Sequence, residues 1–318
     1  MLPYILRRLL ATIPVLVLVT LITFLMIRLV PGDPAAVIGG PEATNAQLDE
    51  IRHQLGLDRP FLAQMGSWYW RLLHGDLGES FLLGRPVTQA IVERLPVTLS
   101  LTLFSMLLSV SMAVSMGIVS AIRANSWVDQ VVMTLALLGV AIPNFWLALL
   151  LIILFAVQLG WLPSGGYVPW DESPVGWLRS CVLPAASLAL LQVGLIARIT
   201  RSTMLEVLNQ DYVRTAWAKG LAPSRVIGLH ALKNALVPIL TVVGIALGLL
   251  LGGSVVIETV FAIPGVGKLI GAAILRRDYP VMQGGLLFIT ALTMLVNLAV
   301  DLLYAVIDPR VAYERRGG

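Results

Sequence analysis

Six apolar runs, each close to the roughly 20 residues that cross a bilayer core as a helix, divide this chain almost end to end. They extend over about 9–30, 97–122, 131–159, 182–197 (reaching 204 if extended), 236–261 and 286–307. In hydrocarbon every backbone N–H and C=O must find its partner within the protein, so runs of this length are read as helices. The expected fold is therefore an all-α integral membrane protein of about six spans. Composition closes off the alternative: 58% hydrophobic and 13% charged residues, with a mean hydropathy of +0.87, are too apolar for a soluble domain of 318 residues. Arg7 and Arg8 precede the first run as in a signal peptide. That run is too long for a signal core and no small-x-small site follows it, so a retained anchor is expected.

Charge gives the orientation. Between Arg198 and Lys233 about six Lys/Arg stand against two acids, whereas between Pro31 and Pro96 acids outnumber bases by about eight to five. The positive-inside rule puts the first interval in the cytoplasm and the second outside. With Arg7, Arg8, Arg123, Arg310, Arg315 and Arg316 on the basic side, both termini are expected to be cytoplasmic. Arg28, near the outer end of the first span, can snorkel or pair with Asp33. The chain then divides into a tail and first span (1–30), an extracytoplasmic helical subdomain (31–96), a core of five spans (97–307) holding a cytoplasmic loop at 205–235, and a cytoplasmic tail (308–318). In the subdomain, Thr44 and Gln47 form a capping box for a helix ending at Gly56, and Pro60 suits the start of another ending at Gly75. Trp68, Tyr69 and Trp70 on that second helix fit an interfacial aromatic belt or a ligand contact.

Chemistry of its own is not expected of this chain. The pI near 9.5 does not signal nucleic acid, because the basic residues flank apolar runs and form no aromatic-interleaved stripe. A single cysteine, Cys181, allows neither an internal disulfide nor a multi-cysteine metal site, and His53, His74 and His230 have no ligand spacing. The nearest approach to a phosphate-binding loop, Pro264 to Leu269, lacks the first glycine and the hydroxyl residue. No catalytic, cofactor or metal residue is assigned, and any ATP and magnesium belong to other chains.

The polar residues that remain are candidates for mechanical work. The basic loop is long for a membrane protein, which suggests a landing site for a soluble partner. Gly220 at its centre either ends a helix or forms the turn of a partner-contacting hairpin. Gly244, Gly248 and Gly252 recur every four residues and make a flat ridge, for packing within the subunit or for a seam with a second one. Asp301, with Asn297 one turn earlier, lies in the last span and either locks helices by pairing with Arg198 or Arg201, or lines a path. Glu258 at the outer end of the fifth span is a gate residue or a solvated helix end.

The loop resembles the coupling loop of ABC-importer permeases, whose general pattern is E-A-A, three residues, Gly, nine residues and I-x-L-P. Aligned on Gly220, Arg214, Thr215 and Ala216 stand at the first positions and His230, Ala231, Leu232 and Lys233 at the last, so Gly and Leu match while Glu, Ile and Pro do not. The departure is similar to the peptide-permease branch, with R-T-A-x-A-K-G-L over Arg214–Leu221 and H-A-L-x-N-A over His230–Ala235. Further resemblance covers nearly the whole chain: RRLLATIPVL (Arg7–Leu16), RLVPGDPA (Arg28–Ala35), LGLDRP (Leu55–Pro60), LLHGDLGES (Leu72–Ser80), ETVFAIPGVGKL (Glu258–Leu269), RRDYPVMQG (Arg276–Gly284) and DLLYAVIDPR (Asp301–Arg310). The chain is thus similar to the B-type permease subunit of bacterial dipeptide/oligopeptide importers, with the type I importer permease fold.

That resemblance implies a multi-pass subunit of the bacterial inner membrane. It would pair with a second permease, with one or two cytoplasmic ATPase subunits and with an extracytoplasmic binding protein. It also implies coupling residues Asp211, Arg214, Thr215, Ala216, Ala218, Lys219, Gly220, His230 and Asn234. The same fold carrying nickel, glutathione or another small solute remains open. So does a stand-alone secondary transporter or channel, although no convincing internal repeat supports it.

Overall fold

In the computed structural model, which describes residues 2–29, 33–40, 42–54 and 56–307, the chain is helical almost throughout. α1 (Leu2–Leu29) is followed by four short helices, α2 (Pro34–Gly39), α3 (Asn45–Gln54), α4 (Phe61–Leu73) and α5 (Val87–Val92). The core then comprises α6 (Leu95–Ile122), α7 (Trp127–Ala141), α8 (Asn144–Leu151, continuing as a π-helical segment to Gln158) and α9 (Pro174–Leu208). After α10 (Asp211–Ala218), α11 (Pro223–Arg225) runs through a π-helical segment, Val226–Leu232, into α12 (Lys233–Val260); α13 (Val266–Arg276) and α14 (Tyr279–Ile307) complete the order.

Among the described residues four helices are long and apolar enough to cross a membrane: 87–122, 174–208, 223–260 and 279–300. The third expected span is not one straight helix. α7 and α8 meet at 103°, broken at Ile142 and Pro143. Proline supplies no N–H and drives the residue before it out of the helical region, and Ile142 is extended there. α1 takes the place of the first span, with its described apolar stretch at Thr12–Leu25. The fourth span is longer than the apolar run suggests, because α9 continues through Arg198 and Arg201 to Leu208.

α9 is the axle of the core. It packs on α6, α7, α8 and α12, and its neighbours approach closely because glycines stand at the crossings. A Cβ at Gly117 on α6 would come within 2.8 Å of the Ala197 carbonyl oxygen; at Gly139 on α7, within 2.5 Å of that of Leu190; at Gly194 on α9, within 2.6 Å of that of Ala136. Leu101, Leu188, Ile196, Leu250 and Ile257 fill the interior around it. α14 lies on the other flank, against α1, α12, α13 and α5.

The segment between α1 and α6 is woven into the bundle. The capping box forms as expected: Thr44 N–H donates to Gln47 Oε1 at 2.9 Å and Gln47 N–H to Thr44 Oγ1 at 3.4 Å. Asp33 accepts from Arg52 Nε at 2.9 Å and Nη2 at 2.5 Å, tying α2 to α3, while the side chain of Arg28 lies outside the described residues. α5 buries Val87, Ala90 and Ile91 in one cluster with α13 and α14. The buried Asp278 carboxylate, between those last two helices, accepts from Ser80 Oγ at 2.5 Å and from Leu82 N–H at 3.3 Å.

Candidate functional site

Three residues after α9 ends, the chain turns through α10, whose eight residues have one buried side and one open side. Val213 and Ala216 point inward and join Val226, Val207, Leu208 and Leu221 in a small cluster of their own. Tyr212 and Trp217 are 45% and 44% exposed on the outward side, with Asp211, Arg214, Thr215, Ala218 and Lys219 around them. Arg214 Nη1 stands 3.6 Å from Asp211 Oδ1, and Thr215 Oγ1 closes back on the Asp211 carbonyl at 2.9 Å.

Gly220 ends the turn at φ +74°, in the left-handed region that L side chains rarely adopt, with Leu221 N–H returning to the Ala216 carbonyl at 3.3 Å. A Cβ there would meet nothing within 4 Å. The glycine answers a backbone requirement rather than a packing one. Beyond the turn, His230 and Asn234 lie on the continuous helix 223–260, where Asn234 Nδ2 donates to the His230 carbonyl at 2.6 Å.

The nine expected coupling residues therefore divide. Ala216, only 5% exposed, seats α10; Asp211, Arg214, Thr215, Ala218, Lys219, Gly220 and Asn234 are open, and His230 is half-buried. Missing from the sequence reading are Tyr212 and Trp217 on the open face and Val213 and Val226 beneath it. The i, i+3 spacing of Val213 and Ala216 was the available signal.

α10 is seated on two long helices at once. The end of α9 and the start of 223–260 meet through Met204, Ala231, Ala235 and Ile239, with Ala121 from α6. Arg201, expected to pair with Asp301, instead places Nε and Nη2 at 2.7 and 2.6 Å from the two oxygens of Asp129, the first acid of α7. Ser120 Oγ and Asn125 N–H also donate to that carboxylate. The reason is topological: α7 packs on α9, whereas α14 packs on α1, α12, α13 and α5. The Asp301 side chain lies outside the described residues. Asn297 is exposed, one turn from both Thr293 and Val300 on α14.

At the far end of α12, Glu258 is not a solvated helix end; it is fully buried. Thr98 Oγ1 on α6 donates to Glu258 Oε1 at 2.8 Å and itself accepts from Val266 N–H at 2.9 Å, while Lys268 N–H donates to Glu258 Oε2 at 2.8 Å. The N-terminus of α13 thus closes over the carboxylate. A Cβ on Gly265 would lie 2.3 Å from Glu258 Cδ, so the glycines of the P-G-V-G stretch make room for the buried carboxylate. On the ridge, Gly244 and Gly248 receive Val300 and Thr293 of α14 within the subunit, while Gly252 faces open space.

Among the described residues no group of three His, Cys, Asp or Glu side chains could hold a metal ion. Two helices that cross the whole bundle converge on a small exposed helix.

Residues 113–313 match the family described as binding-protein-dependent transport system inner membrane component, and residues 1–102 match its N-terminal companion. A putative peptide transport system permease protein of Brucella abortus is 54% identical over 310 residues, covering 98% of this chain and 99% of that protein. A di/tripeptide transport system permease protein of Pseudomonas aeruginosa is 43% identical, over 99% and 100% of the two chains. Among solved structures, an inward-facing conformation of the MetNI methionine ABC transporter matches with a TM-score of 0.59 at 20% identity, over 69% of this chain and 97% of that one. That likeness concerns the fold. The matches of residues 1–102 and 113–313, with relatives alike over almost their full length, place the chain in the family of binding-protein-dependent transport system inner membrane components, as a multi-pass permease subunit.

Proposed function

We propose that this permease carries di- and oligopeptides, delivered by an extracytoplasmic binding protein, and that it forms one half of the translocation path with a second, different permease. The names of the relatives support peptide cargo. ATP and magnesium are bound and used on separate cytoplasmic ATPase subunits, for which α10 is the seat. The observation that carries this reading is the geometry of α10: apolar side chains fix it to α9 and to the helix 223–260, and its open face shows Tyr212 and Trp217 among charges. Aromatic residues on an exposed helical face rimmed by charge are the composition of a protein contact.

The mechanism is alternating access. Closure of the ATPase pair displaces α10, and both long helices carry that displacement across the bundle. The permease pair opens beneath the docked binding protein, and hydrolysis returns it to the inward-open state. Affinity purification of the tagged chain from its native membrane in mild detergent, with mass spectrometry of its partners, tests the assignment. Recovery of a second permease and of one or two ATPases is the expected result. Recovery of this chain alone, stable in detergent, would sink the coupling role of α10. Ligands retained by the co-expressed binding protein then decide between peptides and another small solute such as glutathione or nickel.

A further inference from the structure

Two unlike faces run along α4. Phe61, Trp68 and Tyr69 turn toward α1: Phe24 lies 5.6 Å from the Phe61 ring and 5.5 Å from that of Trp68, and the Tyr69 hydroxyl is 2.9 Å from Thr20 Oγ1. Leu62, Gly66, Trp70 and Leu73 follow one another at helical spacing along the flank beside that contact. Leu62 is 71% exposed, Trp70 66% and Leu73 80%. Three large apolar side chains in a row, left open in a segment otherwise placed in water, need a cover.

The contacts with α1 set the depth. Phe24 and Thr20 precede Arg28 by four and eight residues, about 6 and 12 Å along a helix. Half of a hydrocarbon core is about 15 Å. With α1 crossing the membrane, the aromatic face of α4 therefore grips it below the headgroups, and α4 cannot stand clear of the lipid. On α1 itself Leu18 and Ile22, on either side of Thr20, are exposed apolar residues, as a helix side turned to lipid requires. The open row of α4 continues that surface.

We propose that α4 lies in the lipid leaflet next to the extracytoplasmic segment, with Leu62, Gly66, Trp70 and Leu73 covered by acyl chains. It is then an in-plane anchor beside α1 and no part of the water-exposed cap. α3, with Asn45, Asp49 and Glu50 exposed, remains above it. Amphipathic helices of this kind bury their apolar face by about 5–10 Å at the boundary between headgroups and chains. The inference goes beyond the transport reading and does not depend on the cargo.

Nitroxide labels at Leu62→Cys and Leu73→Cys test it, in the full chain reconstituted into liposomes with the subunits that co-purify. Cys181, the single native thiol, is fully buried and stays in place. Ala46→Cys on α3 is the water reference and Ile22→Cys on α1 the lipid reference. Collision with oxygen, relative to collision with a water-soluble nickel chelate, should be several-fold higher at positions 62 and 73 than at 46, and equal to that at 22. A ratio like that of position 46 would overturn the proposal in favour of a solvated face. Exclusion of both reagents would overturn it in favour of a protein partner.

Discussion

At the scale of single residues, two buried acids of this membrane protein, Glu258 and Asp129, are each met by donors from more than one element. Glu258 is held by a side chain of α6 and by the backbone of α13; Asp129 by Arg201 of α9 and Ser120 of α6. Leaving a buried acceptor short of a donor costs about 1–3 kcal/mol. Thr98 is the critical relay, because its hydroxyl accepts from Val266 and donates to Glu258. Thr98→Val keeps the shape and removes both bonds. The expected loss is about 2 kcal/mol, read as a lower thermal midpoint of the purified complex, with Thr98→Ser retaining the wild-type value. An unchanged midpoint for Thr98→Val would show that the relay contributes nothing.

At the scale of elements, α10 and the α12–α14 contact make separate predictions. Gly220→Asp introduces a side chain at φ +74°, where nothing within 4 Å obstructs it. Aspartate tolerates this region better than most residues, so the backbone cost is small, about 1 kcal/mol. The subunit should fold, assemble and still dock the loaded binding protein. A new carboxylate beside the open face should nonetheless abolish the stimulation of ATPase activity by that protein; stimulation that survives would refute the role given to α10. On the ridge, Gly244→Leu must displace Val300 of α14 and should lower the stability of the subunit by about 1–3 kcal/mol. At Gly252 a Cβ meets nothing within 4 Å, so Gly252→Leu should leave that stability unchanged while weakening co-purification of a second permease. Equal effects of the two substitutions on stability would remove the distinction.

At the scale of the whole molecule, the sequence shows the spans because hydrocarbon imposes one length and one polarity on every crossing. Hydropathy cannot show how the spans meet. Pro143 breaks the third span, yet its signal is lost inside an apolar run. Gly117, Gly139 and Gly194 matter because of a carbonyl on a different helix, a relation with no local trace. Similarly, Arg201 takes Asp129 because α7 lies beside α9, and charge alone had offered Asp301. The coupling turn was legible because Gly220 obeys a backbone rule that is local. Orientation rests on the asymmetry of basic residues. A reporter enzyme active only outside the cytoplasm, fused after Gly318, should be silent in intact cells, and fused after Leu82 it should be active. The reverse pattern would invert the orientation.

The cradle around Glu258 has a consequence for how the protein is made. Chain order brings Thr98 into the membrane well before Glu258 leaves the ribosome, whereas Val266 and Lys268 follow it by eight and ten residues. During insertion the carboxylate can reach Thr98 on α6 first; the Lys268 N–H that it accepts from, and the Val266 N–H that holds Thr98, arrive only when α13 folds back. A nascent chain ending just after Val260 carries an acid in hydrocarbon with half of its partners unmade. The few residues after α12 therefore complete the neutralising cradle of a helix that has already been made.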